Sequence, residues 1–169
     1  NHKPSKYMLN LLHVLPPFVE EKEDIVNVFA ENNIGSLNKY EIITESGQLK
    51  LDRVGYSPIV YPFAYGAIPL TWDFDNDPLD IVIANVTEQF VPGSLVEIRI
   101  VGMMKFEDEG EVDDKIIGVV NDDKRNNHIK TIDDLGEYFK TETKYFWEKY
   151  KELKKPGTGV TKGFFDKDE

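Results

Sequence analysis

Trp72-Asp73-Phe74-Asp75-Asn76-Asp77-Pro78-Leu79-Asp80-Ile81 places four carboxylates within eight residues and carries no lysine or arginine. Anions held that close repel one another unless a cation joins them. Pro78 removes a backbone donor and keeps the stretch out of a helix interior. Directly after it, Ile81-Val82-Ile83-Ala84 is a short, mostly β-branched apolar run that reads as a buried strand. The acids thus sit on a tight loop entering a core strand, an arrangement that fixes carboxylates relative to one another. Carboxylate oxygens suit a hard cation such as Mg²⁺ or Mn²⁺. A solvated acidic turn is the competing reading. An EF-hand loop is excluded, because Leu79 stands where an oxygen ligand belongs and Asp80 where glycine belongs.

Working outward, a second acidic cluster runs Glu107-Asp108-Glu109-Gly110-Glu111-Val112-Asp113-Asp114-Lys115. It lies between two apolar segments, 95–106 and 115–120, and reads as a hairpin tip, with an ordinary polar loop as the alternative. Two acidic clusters in one small domain strengthen the metal reading of both. Lys39, Arg53, Lys115 and Lys151 fall in or beside expected ordered elements, and Tyr61, Tyr65 and Tyr150 carry hydroxyls that need partners. Carboxylate-held metals facing Lys, Arg and Tyr donors divide the work as a phosphate polyanion requires.

Composition narrows the class. The 169 residues suit one domain with a real core, and 40% are hydrophobic, ten Phe and eight Tyr among them. There is no cysteine, which removes disulfides, thiolate nucleophiles and iron–sulfur chemistry. A formal net charge of −11 argues against nucleic acid as a partner. No apolar run is long enough for a spanning helix, so no membrane partner is expected. The three histidines are not spaced as a ligand pair, and Gly157-Thr158-Gly159 lacks the rest of a phosphate-binding loop.

Along the chain, Tyr7, Met8, Leu11, Leu12 and Leu15 follow helical spacing until Pro16-Pro17, and residues 1–30 read as an N-terminal arm or helix packed on the domain. Residues 40–43 and 49–54 flank Glu45-Ser46-Gly47-Gln48 in a hairpin pattern. The proline-rich stretch 57–70 reads as irregular. Strands are expected at 80–86, 95–106 and 115–120. Thr131 caps a long expected helix with one apolar stripe, Ile132, Leu135, Phe139, Phe146, Tyr150 and Leu153, ended by Pro156-Gly157. The polar tail beyond it is expected to be partly mobile. This is an α+β, mainly β pattern: a small barrel with a long late helix packed on it.

Asp75-Asn76-Asp77-Pro78-Leu79-Asp80 resembles the Asp-x-Asp-Pro-x-Asp signature of soluble inorganic pyrophosphatases of the first family. Lys39-Tyr40-Glu41 is similar to that family's Lys-x-Glu strand, and Arg53 stands at the expected hairpin position. Tyr61-x-x-x-Tyr65-Gly66-Ala67-Ile68-Pro69, with Thr71-Trp72, is similar to its aromatic segment. Asp108-Glu109-Gly110-Glu111-x-Asp113-x-Lys115 is similar to its second acidic cluster, and Tyr150-Lys151 to its Tyr-Lys pair. The resemblance spans about residues 31–155.

It implies a single pyrophosphatase-like domain over 31–169, built as a five-stranded OB-like closed barrel with one long C-terminal helix and short peripheral helices. It implies Mg²⁺-dependent hydrolysis of pyrophosphate by a metal-bridged hydroxide, with several Mg²⁺ per site and Mn²⁺ as a substitute. Carried over, Asp75, Asp80 and Asp113 ligate the activating metals, and Asp108 and Glu41 help hold metals arriving with substrate. Asp77 is the general base, with Tyr65 beside it. Lys39, Arg53, Lys115, Tyr150, Lys151 and Tyr61 serve the substrate, and Glu31 and Glu109 are further candidates. A homo-oligomer in the cytoplasm is implied, or in an organelle if a leader has been removed. Ala64 departs from the pattern, which has Asn before the second tyrosine. Two rivals stand beside this reading. One is a weakened homologue that binds metal or phosphate without turnover; the other is a haloacid-dehalogenase-type phosphatase using a nucleophilic aspartate.

Overall fold

The computed structural model describes residues 10–71 and 78–169. Its strands are β1 (Ile25–Asn32), β2 (Asn38–Ile42), β3 (Leu49–Val54), β4 (Ala64–Ala67), β5 (Asp80–Ile83), β6 (Leu95–Asp108), β7 (Glu111–Val112), β8 (Lys115–Val120) and β9 (Gly159–Asp166), with the helix α1 (Glu137–Lys149) between β8 and β9. The strands β1, β4, β5, β8 and β6 are hydrogen-bonded in that order, and β6 pairs back onto β1, so the five form a ring. The β5–β8 pairing is parallel; the other ring pairings are antiparallel. β2 and β3 form the separate expected hairpin.

The long strand β6 pairs with β1 through residues 95–99 and with β9 through 102–108. Between them its register against β8 shifts at Ile100/Gly102, the mark of a bulge where a strand bends to change partner. Gly102 is required there: a Cβ would strike the carbonyl oxygen of Phe165 and come within 2.7 Å of Ile132 Cγ1.

Inside the ring, Val26, Val28, Ala64, Ile81, Ile83 and Ile98 meet, with Ile116 and Val120 against them, so all five strands contribute. The opposite faces of β4, β5, β6 and β8 give Tyr65, Val82, Met104, Phe106, Ile117 and Val119 to a second cluster closed by Phe146 and Trp147 of α1. Because side chains alternate across a strand, one ring serves two apolar layers.

Four expectations are corrected. Residues 25–30, read as the end of an N-terminal arm, lie in β1, in the middle of the sheet. Their apolar run lacks alternation because the strand is covered on both faces. The stretch 57–70 is not wholly irregular, since residues 64–67 pair with both β1 and β5. The helix does not run from Thr131 to Leu153: Gly136, at φ 89°, separates a 3₁₀ turn at Asp133–Leu135 from the 13-residue α1. Asp134 takes the backbone N–H groups of Lys130 and Thr131 instead, and Leu153 is exposed. The tail is ordered as β9, and Glu148 on α1 accepts the N–H of Thr161 at 3.1 Å.

Candidate active site

β5 and β8 run parallel with Ile81 opposite Ile116, so their first residues, Asp80 and Lys115, emerge at the same end of the ring. The Lys115 Nζ donates to Asp113 at 2.8 Å, to the Tyr65 hydroxyl at 3.0 Å and to Asp80 at 3.3 Å. An ammonium has three N–H donors, and all three are matched. The Trp147 ring covers it, with the centroid 4.5 Å from Nζ. Burial works against the charge of Lys115, but Asp80 and Asp113 overcome it and hold its pKa above the ordinary lysine value. Burial raises the Asp113 carboxyl; Lys115 opposes this, and Asp80 and Asp108 add to the rise. The Tyr65 hydroxyl is likewise raised, by burial first and then by Asp80 and Asp113.

These groups form one wall of a cleft of about 450 Å³. The hairpin β2–β3 supplies Lys39, Glu41 and Arg53 to the same cleft, and the end of α1 supplies Tyr150 and Lys151. Lys39 is held by Glu41 at 3.1 Å and Asp52 at 3.2 Å, and these acids outweigh its burial to raise its pKa. Lys151 pairs with Asp108 of the second acidic cluster. Glu31 reaches in from β1, its carboxylate accepting the N–H of Ile42 at 2.8 Å. Burial, and then Asp80, push its pKa well above the ordinary glutamate value.

Thus Tyr65, Asp80, Asp108, Asp113, Glu41 and Glu31 are brought together, and Lys39, Arg53, Lys115, Tyr150 and Lys151 join them. Two candidates are not. Tyr61 is buried behind the cleft wall, its ring 4.7 Å from that of Phe146, and its hydroxyl has no hydrogen-bond partner among the described residues. Glu109 sits on the β6–β7 turn at φ 53° and pairs outward with Lys155 at 3.1 Å. Asp73, Asp75 and Asp77 lie outside the described residues. Ala64 faces the interior of the ring and does not line the cleft.

Among the lining residues missed from sequence are Glu45, Lys50 and Trp147. For Trp147 a signal existed. It stands three and four residues before Tyr150 and Lys151, the spacing that puts side chains on one helix face.

The donor chemistry of the cleft suits a divalent cation. Asp80, Asp113, Asp108 and Glu41 offer oxygen only, as a hard cation prefers. Burial raises the Asp113 carboxyl despite Lys115 at 2.8 Å, and a bound cation would offset that cost of burying the charge. Among the described residues no three acidic or imidazole side chains already converge as a closed cage.

Glu31→Gln provides a check on this electrostatic picture. A carboxyl raised in the fold binds more protons than in the unfolded chain. Its contribution therefore falls as pH rises above the ordinary value of 4.5 toward the folded value. In metal-free protein, Glu31→Gln is expected to flatten the decline in thermal midpoint above that pH. An unchanged slope would place Glu31 in a charged, compensated state.

Comparisons with known proteins place the chain in a family. A family model described as inorganic pyrophosphatase matches residues 28–169. The inorganic pyrophosphatase of Geobacillus stearothermophilus is 41% identical over 136 residues, 80% of this chain and 82% of that protein. A soluble inorganic pyrophosphatase of Zea mays is 43% identical over 127 residues, 75% of this chain and 59% of that protein. The crystal structure of inorganic pyrophosphatase from Thermus thermophilus superposes with a TM-score of 0.86 at 40% identity, covering 95% of this chain and 91% of that one.

Proposed function

Since the chain belongs to the inorganic pyrophosphatase family, we propose that this cleft hydrolyses pyrophosphate to two orthophosphates with Mg²⁺, Mn²⁺ being a substitute. The observation that carries the site assignment is Lys115, pinned between Asp80, Asp113 and Tyr65 opposite a wall of phosphate-binding cations. Asp75, Asp80 and Asp113, with Asp108 and Glu41, hold the divalent cations. Such cations, when bound, neutralise phosphate charge and make water more acidic.

The chain's own residues do the rest. Asp77 orients the attacking water and accepts its proton. Lys115 and the Tyr65 hydroxyl fix the directions of Asp80 and Asp113. Arg53, Lys39, Lys151 and the Tyr150 hydroxyl bind phosphoryl oxygens and stabilise the charge that grows on the departing phosphate. The ring is proposed to be an OB-like closed barrel. Self-association and a cytoplasmic location belong to the same proposal and rest on family membership; among the described residues no helix is long and apolar enough to cross a membrane.

Phosphate release from pyrophosphate, measured with and without Mg²⁺ beside a p-nitrophenyl phosphate control, tests the reading. Release is expected from pyrophosphate only, and only with the metal. No Mg²⁺-dependent release would overturn it, and strong ester hydrolysis would favour a phosphatase of the aspartate-nucleophile type. Ala64 gives no support to a weakened homologue, because it packs inside the ring.

A further inference from the structure

Three of the five cations that line the cleft are held by carboxylates: Lys39 by Glu41 and Asp52, Lys115 by Asp80 and Asp113, Lys151 by Asp108. Arg53 is held differently. Among the described residues no carboxylate lies within ion-pair distance of its guanidinium. Its Cζ sits 5.6 Å from the ring centroid of Tyr150 and 5.6 Å from that of Tyr56, and Nη2 donates to the Tyr150 hydroxyl at 3.3 Å. A guanidinium held by ring faces keeps most of its N–H donors for an incoming anion, whereas one held by a carboxylate spends them.

Tyr150 already lines the cleft, but Tyr56 does not. Tyr56 is anchored from the far side. Its hydroxyl accepts a hydrogen bond from Lys154 Nζ at 3.1 Å, and the same Nζ stands 4.9 Å from its ring centroid. At the other end, Tyr150 stacks on Phe146 with centroids 5.2 Å apart and planes at 20°. Cations and rings therefore alternate in a ladder, Lys154, Tyr56, Arg53, Tyr150, ending on the core. The ladder joins the end of β3 to the turn after α1, which are the two elements of the cationic wall.

We propose that Tyr56 is a positioning residue for substrate binding, its ring holding the Arg53 guanidinium against Tyr150 so that the N–H donors face the phosphate. This rests on the reading of Arg53 as a phosphate-binding residue.

Leucine keeps bulk at this position and removes the π face, and phenylalanine keeps the face and removes the Lys154 bond. Tyr56→Leu is expected to raise KM for pyrophosphate by about fivefold with kcat changed less than about twofold. Tyr56→Phe and Tyr56→Trp are expected to stay within about twofold of the parent protein in both constants. Orthophosphate affinity by calorimetry is expected to fall with Tyr56→Leu in parallel with KM. In an Arg53→Ala background, Tyr56→Leu is expected to add nothing, because a residue that acts through Arg53 has no target once Arg53 is gone. Equal KM in Tyr56→Leu and the parent, a loss confined to kcat, or additive effects in the double variant would each overturn the proposal. If Arg53→Ala itself leaves KM unchanged, the fault lies with the assignment of Arg53 and not with the ladder alone.

Discussion

Lys115→Met is expected to lower kcat by about two orders of magnitude or more, because the ammonium organises both carboxylates proposed to hold the metals. The side chain is 3% exposed, while Asp80 and Asp113 are 33% and 24% exposed. Removing the cation leaves two carboxylates and the Tyr65 hydroxyl without their shared donor. Breaking a fully buried pair costs about 3–5 kcal/mol. The acids here are partly open to water, so a stability loss nearer about 1–3 kcal/mol is expected. Steady-state kinetics and thermal unfolding check the two halves. The loss of stability should also deepen as pH rises, because Lys115 is the group that opposes the rise of the Asp113 carboxyl. A raised folded pKa on an acid means stability that drains away above the ordinary aspartate value of 3.8. A variant with normal kcat and raised KM would make Lys115 a plain substrate ligand.

Asp77→Asn is expected to reduce kcat by about 10²–10⁴-fold while changing the half-saturating Mg²⁺ concentration by less than about threefold. The amide keeps the shape and a carbonyl acceptor but cannot take a proton at neutral pH. Its residual rate should climb with pH as hydroxide from solvent replaces the missing base. Asp75→Asn serves as the contrast, since a ligand position should lose metal affinity first. If Asp77→Asn instead shifts the Mg²⁺ dependence and spares turnover at saturating metal, Asp77 is a ligand and another group is the base.

How far the sequence could be read depended on whether local chemistry or tertiary packing set each element. The β2–β3 hairpin was legible because Glu45-Ser46-Gly47-Gln48 turns the chain locally, with Gly47 at φ 72°. β5 and β8 were legible as compact β-branched runs. β1 was not, because burial on both faces erases the two-residue alternation that marks a half-exposed strand. β4 was hidden among prolines: residues 64–67 hold two alanines and a glycine, and their pairing to β1 and β5 is decided at long range. β9 was hidden because an outer strand carries polar residues that read as tail. In the site, the acidic signature and the cations were legible from residue type and order. The depth of Tyr61 and the outward turn of Glu109 were not, because a motif fixes spacing along the chain and not which side of a wall a side chain takes.

The parallel register of β5 against β8 has a consequence in time. Asp80 and Lys115 are 35 residues apart in sequence, and only the pairing of Ile81 with Ile116 brings them together. Closing so long a connection is entropically slow compared with forming a hairpin such as β2–β3. A nascent or refolding chain can therefore present Lys39 and Arg53 well before it owns a hydrolytic centre. Chemical competence waits on the long-range β5–β8 pairing, which the local hairpin cannot supply.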